Sequence, residues 1–152
     1  ATMGINVRVR PVMGEGIAIR PAGWTLPHAV TWPGAHLVPR GADILVGSTT
    51  RAAGFTKQVT AEGVAQLCAA VSSGLEEGLP WHVQRSWAGV RPAPGIRRPI
   101  VGPVPEHPNI FLATGHHRSG LLLAPLTAQL IVELVTGNTP CIPPVLLRFK
   151  RR

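Results

Sequence analysis

Between Asn109 and Val135 the chain passes from an apolar run, Asn109-Ile-Phe-Leu-Ala113, through Thr114-Gly115 and the cluster His116-His117-Arg118-Ser119-Gly120 into a long apolar segment that opens at Leu121. A strand that turns this abruptly into a helix leaves several backbone N–H groups without partners of their own. The helix dipole makes the same N–H groups attractive to an anion or to the electron-rich edge of a ligand. Arg118 adds a cation beside them. Two readings fit this stretch: a plain strand–loop–helix crossover, or a binding site. The second gains weight from another arginine in an equally constrained setting, Trp87-Ala-Gly-Val-Arg91-Pro-Ala-Pro94.

The segment from Leu121 to Val135 is interrupted by Pro125, Thr127, Gln129 and Glu133. It is too short for a bilayer span and is expected to form a buried helix. A second helix is expected over 60–77, where Val64, Leu67, Cys68, Val71 and Leu75 fall on one face. Thr60 is placed to cap it, Glu62 sits in its positively polarised first turn, and Gly78-Leu-Pro80 is expected to end it.

The rest reads as extended chain. Ile5 to Val12 alternates, with Arg8 and Arg10 on the outer face, and Ile17-Ala-Ile-Arg20 resumes extended character after Gly14-Glu-Gly16, an expected turn or bulge. Pro21, Pro27 and Pro33 exclude a regular helix before Gly34, leaving a loop or irregular edge that carries Trp24 and Trp32. Ala35–Arg40 and Asp43–Gly47, separated by Gly41-Ala42, predict a tight β-hairpin, and Ser48–Arg51 leaves it as a polar loop. His82–Arg91 alternates again, with Val83, Arg85, Trp87, Gly89 and Arg91 on one face. Arg91 is either a surface cation ending a strand or, held rigid by Pro92, a guanidinium suited to bidentate capture of a carboxylate. Pro99–Pro103 is a short extended piece and Pro105–Pro108 a turn.

The resulting class is α+β: an antiparallel or mixed sheet followed by a closing strand–helix unit. That last unit looks like one βα element of a parallel sheet whose other strands lie elsewhere, so the sequence reads like the second half of something.

Composition bounds the partners. The net charge is +8, but only Arg148–Arg152 forms a basic run, and there is no Tyr to interleave with it. A solvated tail is the simpler reading and a nucleic-acid arm the lesser one. Charged residues make up only 14% of the chain, which suggests that part of the surface is covered by a partner, a cofactor or further chain. Cys68 and Cys141 lie in unrelated contexts, and no secretory leader opens the sequence, so a cytoplasmic protein is expected. Metal binding by His116, His117 and His107 is the weakest option, since adjacent histidines point to different sides.

Several motifs together resemble the C-terminal half of the glycine oxidases, members of the flavin-dependent D-amino-acid oxidase family. They are Val9-Arg-Pro-Val-Met-Gly14, His36-Leu-Val-Pro-Arg40, Ile44-Leu-Val-Gly-Ser-Thr49, Trp87–Pro92, Ile100-Val-Gly-Pro103 and Ala113–Pro125. The resemblance implies a substrate-domain portion over 1–98, the closing strand–helix element of a Rossmann-like FAD domain over 99–137, and an extended basic tail over 138–152. It implies that Arg91 binds a substrate carboxylate and that Gly115, His116, His117, Arg118, Ser119, Gly120 and Leu121 line FAD. Arg118 would also project toward the substrate. His36 stands where that pattern places a pocket tyrosine. The chemistry implied is oxidation of a small amine or amino acid to an imine by hydride transfer to flavin.

The family's Gly-x-Gly-x-x-Gly phosphate cradle does not occur in these 152 residues. An N-terminal FAD-binding half or partner chain is therefore expected, with a homo-oligomer compatible. The competing expectation is a non-catalytic truncated module or a basic domain that binds anions or nucleic acid.

Overall fold

A computed structural model describes residue 5 and residues 7–95, 98–105 and 107–143. The basic run at 148–152 lies outside the described residues, as does most of the expected tail. Nine elements follow in order: β1 (Val9–Pro21), β2 (Val30–Trp32), β3 (Ala35–Arg40), β4 (Asp43–Gly47), α1 (Ala61–Gly74), β5 (Trp81–Pro94), β6 (Ile100–Val104), β7 (His107–Thr114) and α2 (Gly120–Thr136). The chain divides into two compact units, a terminal one made of Ala1–Pro11 with Arg91–Arg152 and a central one made of Val12–Val90.

In the central unit the predicted hairpin forms, with β3 and β4 antiparallel and Arg40 opposite Asp43 across the turn. The sheet order is β2-β3-β4-β1-β5, and α1 lies on it. Ile17, Ile19, Leu37, Ile44 and Val46 from the strands meet Leu67 and Val71 of α1 in one buried cluster. The helical spacing of the apolar residues is what turns that stripe toward the sheet. The loop before β3 is pinned by its tryptophans: the Trp24 indole N–H donates to the Pro80 carbonyl at 2.7 Å and that of Trp32 to the Ala70 carbonyl at 2.8 Å.

Three sequence expectations change here. Gly14-Glu15-Gly16 is not a turn but buried strand inside β1, with Gly16 paired to Gly47 and the ladder slipping by one residue before Met13 meets Arg51. Its glycine serves close packing, since a Cβ on Gly16 would stand 2.7 Å from the Trp87 indole. α1 also ends three residues earlier than 77, at Gly74, because Leu75 leaves the helical conformation at φ −94° and ψ 154°. The polar stretch after β4 turns inward rather than forming a plain loop. Thr49 is buried, its hydroxyl accepts the Glu15 N–H at 2.9 Å, and Arg51 pairs back onto Met13.

Glu15 is the buried charge of this unit. Its carboxylate accepts the Thr60 N–H at 2.6 Å, the Thr60 hydroxyl at 3.0 Å and the Thr49 hydroxyl at 3.2 Å, with the Arg51 guanidinium 3.7 Å away. Thr60 in turn caps α1 by accepting the Gly63 N–H. Burial pushes the Glu15 carboxyl up, but the Thr60 N–H, the two hydroxyls and the Arg51 charge outweigh it and hold its pKa below the ordinary carboxylate range.

In the terminal unit β6 and β7 pair antiparallel from Ile100 opposite Thr114 to Val104 opposite His107, with a bulge at Pro103/Val104. The closing strand thus finds a partner within the chain, where a lone element of a parallel sheet was expected. α2 forms as predicted but is not buried. Only Leu130 is enclosed, against Val101, while Leu121 and Leu122 are 93% and 82% exposed. A two-stranded ribbon offers one stripe of contact, and an apolar helix needs more. Among the described residues no helix is long and apolar enough to cross a membrane.

Glu15→Ala should cost about 3–5 kcal/mol by chemical denaturation, because it strands two hydroxyls, a helix-cap N–H and a guanidinium. Wild-type stability should fall as pH drops below the ordinary carboxylate range toward the lower folded pKa, and Glu15→Ala should flatten that acid limb. An unchanged acid limb in the variant would remove Glu15 from this role.

Candidate functional site

The turn from β7 into α2 is built from residues that can leave ordinary backbone space. Gly115 has φ 76° and packs against Pro94 and Ile100. His117 adopts φ 50°, a left-handed conformation that few non-glycine residues take. Three bonds hold the turn in place. The His117 N–H donates to the Pro92 carbonyl at 3.0 Å, the Ser119 N–H donates to the His116 carbonyl at 2.9 Å, and His116 Nε2 lies 2.9 Å from the Thr127 hydroxyl. One clamp therefore ties the turn to β5 and another ties it to α2.

The first intrahelical bond of α2 runs from the Leu123 N–H to the Ser119 carbonyl. The N–H groups of Gly120, Leu121 and Leu122 precede it, and Ser119 makes no side-chain capping bond. They form an open N-terminal turn with Arg118 immediately before it, which suits the polar edge of a planar cofactor or an anion. Cofactor residues expected from Gly115 to Leu121 are thus contiguous here, although the His116 ring is occupied with Thr127.

Arg91 reaches the same place from β5. Burial, and then the charge of Arg118, lower its pKa from the ordinary guanidinium value, so the two arginines feel each other directly. His117 is lowered by burial and then by Arg91, Arg118 and Arg10. Its imidazole is consequently held neutral where an ordinary histidine would begin to charge. Alternation alone puts Arg10 on an outer strand face, and no sequence signal joins it to residues a hundred positions later. His36 belongs to the central unit, exposed on β3, its Nδ1 hydrogen-bonded to the Thr31 hydroxyl of the facing strand.

Two apolar hollows of about 200 and 490 Å³ flank the His116–Thr127 pair. Neither of these two hollows is lined by Arg91 or Arg118. Among the described residues no cluster of three histidine, cysteine or acidic side chains comes together as a metal site.

A family model described as FAD dependent oxidoreductase matches residues 1–134. The chain belongs to the FAD-dependent oxidoreductase family. It is 40% identical over 144 residues to a glycine oxidase of Pseudomonas putida, covering 94% of this chain and 40% of that protein. A glycine oxidase of Pseudomonas aeruginosa is 37% identical over 143 residues, 93% of this chain and 39% of that protein. The crystal structure of glycine oxidase from Geobacillus kaustophilus superposes with a TM-score of 0.87 at 31% identity, covering 98% of this chain and 41% of that one. The chain thus spans about two fifths of the length of these relatives. The family cofactor is FAD, and the open N-terminal turn of α2 with its adjoining cation fits the polar edge of that group.

The His117 imidazole should titrate below the ordinary histidine value in an NMR pH series, and Arg118→Gln should move its midpoint back up. A midpoint that ignores this substitution would contradict the electrostatic coupling. Gly115→Ala should destabilise the fold by about 1–3 kcal/mol, since alanine at positive φ is strained and its Cβ meets Pro94.

Proposed function

We propose that this chain is the C-terminal part of an FAD-dependent amino-acid oxidoreductase of the glycine/D-amino-acid oxidase type, acting in the cytoplasm on a small amine or amino acid. The observation that carries this reading is the convergence of Arg91 and Arg118 beside the open N-terminal turn of α2. The glycine oxidase relatives supply the reaction class.

Arg91 receives the substrate carboxylate. Its guanidinium presents a planar fork, and Pro92 restricts the backbone that carries it, so little ordering entropy is lost on binding. Arg118 faces the same carboxylate region as a second cation. The N–H groups of Gly120, Leu121 and Leu122 would hold the polar edge of the isoalloxazine, where the helix dipole favours negative charge. FAD, when bound, supplies the two-electron acceptor for the α-carbon hydride, leaving an imine that water hydrolyses. A substrate amine that arrives neutral needs no general base. His117, held neutral by the surrounding arginines, adds no competing charge near the amine. The phosphate cradle comes from a glycine-rich FAD-binding segment, carried by a longer polypeptide or a partner chain, consistent with the share of the relatives that this chain covers.

Combining this chain with such a segment should give a yellow complex that is bleached anaerobically by glycine, sarcosine or a D-amino acid. A complex without flavin absorbance would sink the proposal. Arg91→Ala in that complex should weaken carboxylate binding by about 1.5–3 kcal/mol, a Michaelis constant raised roughly 10- to 150-fold. Arg91→Lys should recover only part of it, because the fork is lost while the charge remains.

A further inference from the structure

The two threonines of α2 use their hydroxyls differently. Thr136 makes the usual bond within its own helix, its Oγ1 donating to the Val132 carbonyl at 2.8 Å. Thr127 does not. Its Oγ1 lies 2.9 Å from His116 Nε2, and among the described residues that hydroxyl has no other partner. A hydroxyl whose hydrogen is not taken by a helix carbonyl is free to donate it, so Nε2 is the acceptor and the ring proton sits on Nδ1. Apart from Arg98, the other residues lining the hollows on either side of this pair are apolar, and apolar walls make such a bond stronger than water would allow.

The bond closes a ring around the start of α2. The His116 carbonyl accepts the Ser119 N–H, the Ser119 carbonyl accepts the Leu123 N–H, and Thr127, one turn further on, returns to the His116 side chain. Gly120, Leu121 and Leu122 lie inside that ring, and their own helix holds them loosely. Ser119 gives no side-chain cap, and Pro125 brings no N–H to the Leu121 carbonyl four residues before it. Gly120 also lies against His116, since a Cβ there would stand 3.6 Å from the His116 Cβ. The orientation of the three open N–H groups therefore depends on the bond that Thr127 makes.

We propose that Thr127 is a positioning residue for the cofactor: its hydroxyl donates to His116 Nε2, holds the imidazole in the Nδ1–H form, and so keeps the N–H groups of Gly120, Leu121 and Leu122 set for the polar edge of the flavin. This rests on the oxidoreductase reading above and deepens it by naming a residue that acts through another. Aligned N–H dipoles favour the negative charge that a flavin gains on reduction, so a relaxed turn makes its potential more negative and loosens FAD.

The test uses this chain together with its FAD-binding segment. Nitrogen NMR of the histidine rings, at a pH where they are neutral, reads the tautomer directly. His116 should show a protonated Nδ1 and a bare Nε2. Thr127→Val, which keeps the shape and removes the hydroxyl, should move the ring toward the Nε2–H form. A wild-type His116 protonated on Nε2 overturns the inference, whether or not any variant folds. In the flavin-loaded protein Thr127→Val should weaken FAD binding about five- to tenfold and shift the two-electron potential to more negative values, and Thr127→Ser should restore both. Thr136→Val, which removes the hydroxyl at the far end of α2, should leave both at the wild-type values. A Thr127→Val protein that unfolds more easily yet keeps the wild-type FAD affinity and potential also overturns the inference, because the bond then serves the fold alone. A wild-type complex that holds no flavin would overturn the oxidoreductase reading and this inference with it, whereas flavin held normally at a potential blind to Thr127 overturns this inference alone.

Discussion

The bond from the His117 N–H to the Pro92 carbonyl is the constraint on which the terminal unit's chemistry depends. Proline brings no N–H of its own to a sheet edge, but its carbonyl remains a strong acceptor, and a residue two positions into the β7–α2 turn takes it. To reach it the backbone passes through left-handed conformations at Gly115 and His117. The same passage swings Arg118 toward Arg91 and starts α2 with its first N–H groups open. Strain at the turn and position of the cations are therefore one feature. The His116–Thr127 bond prevents the strain from being released by a shift along the helix.

Electrostatics in the two units follow opposite designs. In the central unit a buried carboxylate accepts three hydrogen bonds and lies 3.7 Å from a guanidinium, so the charge is stable where it sits. In the terminal unit positive groups gather around an imidazole whose charging they suppress. The first arrangement is complete without a ligand and reads as structure. The second leaves a cationic region beside the β7–α2 turn.

The apolar surface of α2 fits a chain that spans about two fifths of its relatives' length. Leu121, Leu122, Val132 and Val135 are exposed, and the ribbon of β6 and β7 is too narrow to enclose them.

Periodicity and turn chemistry in the sequence determined the hairpin of β3 and β4, the apolar face of α1, the long helix after Gly120 and the existence of the strand that carries Arg91, because these are local properties of neighbouring residues. That strand runs on to Pro94 and does not end at Arg91. The motifs also identified the family. What only the tertiary structure decided came from contacts across long sequence distances. Gly14–Gly16 looks like a turn until Trp87 packs on it, Thr49 looks like a loop residue until Glu15 binds it, and Arg10 looks like a solvated strand residue until β5 brings the left-handed turn beside it. A glycine, a hydroxyl or a surface cation carries the same local signal in either role. The neighbour that chooses between them is set by the fold.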